Sequence, residues 1–197
     1  MDLKIVTKSF QGICALFLSV LLSACAGQSF ADSATVDGIK WTYTVKNGEA
    51  SLGEDSSARP AVSTATTGIL TIPYSLNGYT VTRISSYAFY GCSGLIGVRI
   101  PDSVTSISEY AFYGCNASLF DTTTIPGVRL VDGWVVGNTG SLSGNLNLTG
   151  IRGVGEFAFS GCSGLTSVTI PDGVTSIESS AFYGCSGLTS VRSEERR

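Results

Sequence analysis

Cys162–Cys185 reads CSGLTSVTIPDGVTSIESSAFYGC, and Cys92–Cys115 reads CSGLIGVRIPDSVTSISEYAFYGC. In both stretches the closing cysteine lies 23 positions after the opening one (185 − 162 and 115 − 92). A fixed period of this length marks stacked repeats, each a small unit that closes its core only against its neighbours.

The second half of the unit is Val-x-x-Ile-x-x-x-Ala-Phe-x-x-Cys. It occurs four times, as Val81/Ile84/Ala88/Phe89/Cys92, Val104/Ile107/Ala111/Phe112/Cys115, Ile151/Val154/Ala158/Phe159/Cys162 and Val174/Ile177/Ala181/Phe182/Cys185. Spacings of three and four predict one face of a short helical or 3-10 arc. The Ala marks a site where backbone passes close and a larger side chain would overpack. Phe89, Phe112, Phe159 and Phe182 are the main apolar plugs, expected to pile into one continuous interior.

The first half is Leu-x-x-Val-x-Ile-Pro, seen as Leu95/Val98/Ile100/Pro101 and Leu165/Val168/Ile170/Pro171. Its alternating end predicts a short strand, which Pro terminates because it cannot donate to a ladder. The expected fold is an α/β repeat solenoid. Short parallel strands form a sheet on one side, joined by short helical or 3-10 arcs and headed by an N-terminal β-hairpin cap.

Repeats of the form IPDSVTSISEYAFYGCSGL resemble the BspA-type leucine-rich repeats of bacterial surface proteins, over roughly residues 69–192. The resemblance implies a leucine-rich-repeat fold and adhesion to host matrix proteins and other cells. The expected role is a non-catalytic surface module for extracellular protein or glycan partners. The alternative is a structural or self-assembling envelope component.

Residues 1–31 read as a secretory signal: Lys4 and Lys8, an apolar run from Ile13 to Leu22, then small residues. The run is too short for a lasting membrane span. Leu22-Ser23-Ala24-Cys25 has the form of a lipobox, which would lipidate Cys25. Cleavage after Ser29-Phe30-Ala31 is the competing reading, and the position of the lipobox directly after the apolar core favours the former. A lipid anchor would be the chain's sole membrane attachment, and the expected location is secreted or cell-surface.

Residues 32–67 divide into a hairpin at 38–52, turning at Asn47-Gly48, and a polar loop at 53–67. Repeats occupy 68–197, with a divergent segment at 116–149. There Cys115 and Cys162 are 47 apart, one more than two periods, and Asp121 falls near a core position. Val128–Val131 and Trp134–Val136 flank Asp132-Gly133, a second hairpin signal. Trp134 could make it a recognition element; local repair of the stack is the stronger reading. The chain ends soon after Val191 with no capping motif, so either the last coil pairs with another chain or the sequence is a piece of a longer array.

Chemistry has little footing. The chain has no His and a net charge of −3, which argues against a nucleic-acid surface and removes the usual general base. No catalytic, metal or cofactor residue is assigned. Cys92, Cys115, Cys162 and Cys185 form one column; paired disulfides are open, but free buried thiols suit parallel stacked side chains better. Gly153-Val154-Gly155-Glu156-Phe157-Ala158 fits a loose G-x-G-x-x-A pattern, yet Val154 and Ala158 are repeat core positions and no dinucleotide-binding unit surrounds them. Candidate contact residues are Tyr87, Tyr90, Tyr110 and Tyr113, in register in adjacent coils, and Arg99 and Arg192 on the outward strand face.

Overall fold

The computed structural model describes residues 30–140 and 142–193. The leader with its lipobox Cys25, and tail residues 194–197, lie outside the described residues.

Turn chemistry sets the cap. Asp37-Gly38 and Asn47-Gly48 take positive φ at both positions (50° and 77°, 54° and 82°), as type I′ hairpin turns require. Strands β1 (Phe30–Val36), β2 (Ile39–Lys46) and β3 (Glu49–Leu52) therefore form an antiparallel meander. The cap thus has three strands where two were expected, and β1 starts inside the segment read as signal. Trp41, Tyr43 and Val45 alternate inward along β2 and are buried. The loop at 53–67 is a working part of the cap, because Ala61 and Val62 are buried and the Ala61 N–H donates to Ala88 O at 2.6 Å.

The remaining strands are β4 (Thr67–Thr71), β5 (Ser75–Leu76), β6 (Tyr79–Ile84), β7 (Gly94–Arg99), β8 (Ser106–Ile107), β9 (Val128–Val131), β10 (Trp134–Asn138), β11 (Ser143–Asn147), β12 (Gly153–Val154), β13 (Gly164–Ile170), β14 (Ser176–Ile177) and β15 (Ser190–Ser193). Leu-x-x-Val segments pair in parallel as β4–β7 and β11–β13–β15. Val-x-x-Ile segments pair in parallel as well, β3–β6–β8 and β10–β12–β14. Each regular coil thus contributes to two ladders, not the single sheet expected.

A bulge explains the difference. Ala50 faces Val81, but Ser51 faces Arg83, so Thr82 is skipped. Ile96 and Thr166 are skipped in the same way in β7 and β13. One extra residue lets side chains three apart both point inward from a strand. A spacing of three, read as helical, is here a bulged strand.

The arcs are not helical either. Among the described residues the one helical element is a 3-10 turn at Ala117–Leu119. Tyr87, Tyr110, Phe157 and Ser180 take φ of 60°, 56°, 55° and 57°, which stops a right-handed helix. Each arc is instead a series of turns such as Ala88 N–H to Ser85 O and Cys92 N–H to Phe89 O. The fold is a mostly-strand repeat solenoid.

The phenylalanines do stack, Phe89 on Phe112 and Phe159 on Phe182, with centroids 5.1 Å apart in each pair. The interior is nevertheless two clusters, Trp41 to Trp134 and Ile125 to Ala181. The β9–β10 hairpin divides them. Val131 and Trp134 belong to the first cluster, Leu130 and Val135 to the second. Trp134 is therefore fully buried and cannot serve as a recognition side chain. Asp121 is exposed rather than near the core, and its carboxylate accepts from the backbone N–H and hydroxyl of both Thr123 and Thr124. Those bonds hold its acidity stronger than that of an ordinary Asp.

Two glycines admit the hairpin. A Cβ on Gly153 would lie 2.5 Å from a Trp134 ring carbon, and one on Gly155 would lie 3.0 Å from Val135 O. The regular repeat places Ser106 or Ser176 where Gly153 stands. The G-x-G pattern is thus a pair of notches. Arg152, standing where other repeats carry Thr, clamps the seam. Its guanidinium donates to Ile100 O (2.9 Å), Asp132 Oδ2 (3.0 Å) and Asp102 Oδ1 (2.8 Å), while Asp132 Oδ2 also accepts the Ile100 N–H (2.7 Å).

Gly153→Ser, the residue favoured elsewhere in the repeat, is expected to destabilise by about 1–3 kcal/mol through overpacking on Trp134. Chemical denaturation reads it directly; full stability in the variant would refute the notch. Arg152→Thr should lower stability by about 1–2 kcal/mol, since its bonds are charge-assisted but partly exposed.

Candidate functional site

The arcs of the first two coils lie side by side. Phe89 N–H donates to Ala111 O at 2.7 Å and Gly91 N–H to Tyr113 O at 2.9 Å. This registry brings the predicted tyrosines together. Tyr87 stacks on Tyr110 (5.4 Å, 23°) and Tyr90 on Tyr113 (5.9 Å, 7°), while within each coil the pairs meet edge to face. The result is a square of four rings. Tyr110 and Tyr113 are 50% and 58% exposed, so the square is a surface and not a core.

The fold does not require rings there. Ser180 occupies the Tyr87 position of a later coil with the same left-handed φ, and Ser160 occupies the Tyr90 position. Rings lost from the square are lost amphipathic contact area, of the kind that suits binding surfaces.

The tyrosine columns do not run on through the stack. Tyr183 continues the Tyr90 column by sequence, but its ring meets Phe157 at 6.0 Å in the second pair of arcs. The hairpin coil between carries no arc of its own. Asn138 Nδ2 donates to Ala158 O at 3.1 Å in its place. A groove of about 270 Å³ opens there, walled by Tyr110, Tyr113, Phe120 and Phe157. Glu109 and Arg129 stand in the lining, and the Arg129 guanidinium lies 5.6 Å from the Phe120 ring centre. Sequence reasoning missed this groove. Its trace was present, because the span from Cys115 to Cys162 holds two periods of chain and no Ala-Phe-x-x-Cys set between them.

Arg99 and Arg192 are both exposed but sit on separate sheets, opposite Thr71 in β7 and Thr169 in β15. They are not brought into one patch. The four cysteines are free thiols in the arcs. Cys115 Sγ donates to Phe89 O and Cys185 Sγ to Phe159 O, both at 3.1 Å. Burial pushes the Cys92 thiol up to about 11 and the Cys115 thiol up to about 12, and raises Cys162 and Cys185 as well.

Six copies of the family pattern described as BspA type Leucine rich repeat region match residues 70–129 and 138–196. No curated protein matches the chain. Similar solved structures include a leucine rich cell surface protein of Faecalibacterium prausnitzii, 29% identical over 84% of this chain and 40% of that one (TM-score 0.38). Another is a leucine-rich repeat protein of Bacteroides capillosus, 28% identical over 83% and 99% (TM-score 0.38). A third is the T. pallidum Leucine Rich Repeat protein, 20% identical over 80% and 70% (TM-score 0.39). The chain spans about 40% of the length of the Faecalibacterium protein.

The thiols make a pH prediction. A raised thiol pKa favours the neutral form in the fold, so its stabilising effect is full below the ordinary value of 9.0. It is lost as pH rises through that value toward 11–12. Denaturation midpoints should fall above pH 9, and less so in a Cys92→Ala/Cys115→Ala double variant. At pH 8, without reductant, all four thiols should alkylate in denaturant, with Cys92 and Cys115 slow in the native protein.

Proposed function

The chain belongs to the BspA-type leucine-rich-repeat family, and from that premise we propose that it is a non-catalytic adhesion module whose contact surface is the tyrosine square. Repeat solenoids bind through extended surfaces rather than through reactive side chains. The observation that carries the reading is the square itself: Tyr87, Tyr90, Tyr110 and Tyr113 hold one another in fixed geometry while two of the four remain half exposed. Rigid aromatic area of this kind gives contact with little loss of side-chain freedom.

The module is proposed to act outside the cytoplasm, delivered by the leader and held by a lipid on Cys25. Strand β1 begins at Phe30 and pairs with β2 along its whole length. Cleavage after Ala31 would remove two paired residues of the cap, whereas processing at Cys25 leaves the strand whole. This supports the lipobox. Among the described residues no helix is long and apolar enough to cross a membrane.

A second reading, self-assembly through the last coil, is favoured by one observation. Ile177, Tyr183 and Val191 of that coil are 41%, 67% and 54% exposed.

The square is tested by replacing all four tyrosines with Ser, the residue the repeat itself accepts at both positions. Each lost ring pair should cost about 0.5–1.5 kcal/mol of stability, leaving the fold intact. Binding to a panel of immobilised matrix proteins and glycans should fall at least about tenfold, equivalent to roughly 1.4 kcal/mol. Unchanged binding by the folded variant would refute the square. Concentration-dependent assembly with no partner present, measured by light scattering, would favour the second reading.

A further inference from the structure

The groove left by the missing arc has the backbone chemistry of an unfilled repeat position. In the first coil, Phe89 N–H and Gly91 N–H donate to carbonyls of the next arc, Ala111 O and Tyr113 O. In the later pair, Phe159 N–H and Gly161 N–H donate to Ala181 O and Tyr183 O at 2.8 Å each. Phe112 and Gly114 are the equivalent donors of the second coil. Their arc has the same backbone form, with Tyr110 at φ 56° and Gly114 at 77° against Tyr87 at 60° and Gly91 at 68°. Among the described residues nothing accepts from either N–H. Phe112 lines the groove and is only 4% exposed as a residue, while Gly114 is exposed.

We propose that this groove binds a peptide segment of a partner protein, which docks against the second arc; Ala158 O, the matching acceptor on the far wall, is already taken by Asn138 Nδ2. The segment presents two backbone carbonyls two residues apart to the N–H groups of Phe112 and Gly114. Its apolar side chains fill the space between the Tyr110 and Tyr113 rings and Phe157. Main-chain bonds supply affinity and flanking side chains supply selectivity, as in strand addition to an open sheet edge. The charged groups set direction. The Glu109 carboxylate and Arg129 guanidinium make no hydrogen bond or ion pair among the described residues, whereas Glu156 is occupied by Glu109 N–H and Ser179 Oγ. Glu109 therefore receives a basic side chain of the segment and Arg129 an acidic one. The inference deepens the binding-module reading, since it names the partner as peptide and gives it a second site beside the square.

The chain's own arc serves as the probe: a blocked synthetic peptide with the sequence of residues 178–185 and Ser in place of its Cys. Amide exchange and ¹H–¹⁵N spectra of the whole mature protein provide the readout. Without peptide, Phe112 and Gly114 amides should exchange at least about tenfold faster than Phe89 and Gly91. Millimolar peptide should shift and protect those two amides, and Arg129→Gln, which removes the partner of the peptide's one acidic side chain, should weaken the effect at least threefold. Phe157→Ser, which the repeat tolerates as Ser180, should weaken it as well. Protection of Phe112 and Gly114 in the free protein would overturn the proposal, as would peptide shifts confined to Phe182 and Gly184, the matching donors of the last arc. Shifts produced by a neutral oligosaccharide but not by peptide would overturn it too. The square shares Tyr110 and Tyr113 with the groove, whereas Tyr87 and Tyr90 belong to the square and do not line the groove. A Tyr87→Ser/Tyr90→Ser variant should keep peptide binding, so loss of matrix-protein binding there with the groove intact separates the two sites.

Discussion

Every regular coil passes its backbone hydrogen bonds to the next coil at the same places. The arc donors at Phe89 and Gly91 find Ala111 O and Tyr113 O, and those at Phe159 and Gly161 find Ala181 O and Tyr183 O. That handover holds the coils near the spacing of paired strands, and the ring pairs follow, Phe on Phe at 5.1 Å. Apolar stacking fills the interior. The backbone registry decides which side chains stand above which.

The molecule's departures all arise where that handover fails. Between the second arc and the next, the chain inserts a hairpin that contributes a strand but no arc. The consequences spread through the local sequence: glycines at 153 and 155 where side chains would collide, Arg152 bonded across the seam, and Asn138 standing in for a missing donor. On the core side the repair is close, with Val131 and Trp134 packed one way and Leu130 and Val135 the other. On the arc side it is incomplete, and a groove remains. The same break ends the tyrosine columns, so the square and the groove are neighbours for one structural reason.

Much of this was legible. Period, repeat core, cysteine column, tyrosine registry and the Asn-Gly and Asp-Gly turns follow from residue type and spacing alone. The helical arcs did not follow, because a spacing of three fits both a helix face and a bulged strand. Thr82 carries no mark saying that it is skipped. Nor does Tyr87 announce a left-handed φ, since the repeat places Tyr, Phe or Ser there alike. Trp134 misled in the other direction: an aromatic beside a tight turn suggests a projecting tip, but both faces of this hairpin are covered.

The sequence by itself determined that equivalent side chains recur every 23 residues and must stack, because a repeated apolar pattern has no other way to leave water. Tertiary structure alone decided what fills the one interval where the pattern lapses. Whether an irregular segment projects, caps or divides the core depends on the space its neighbours leave, and that space exists only after both sides have folded.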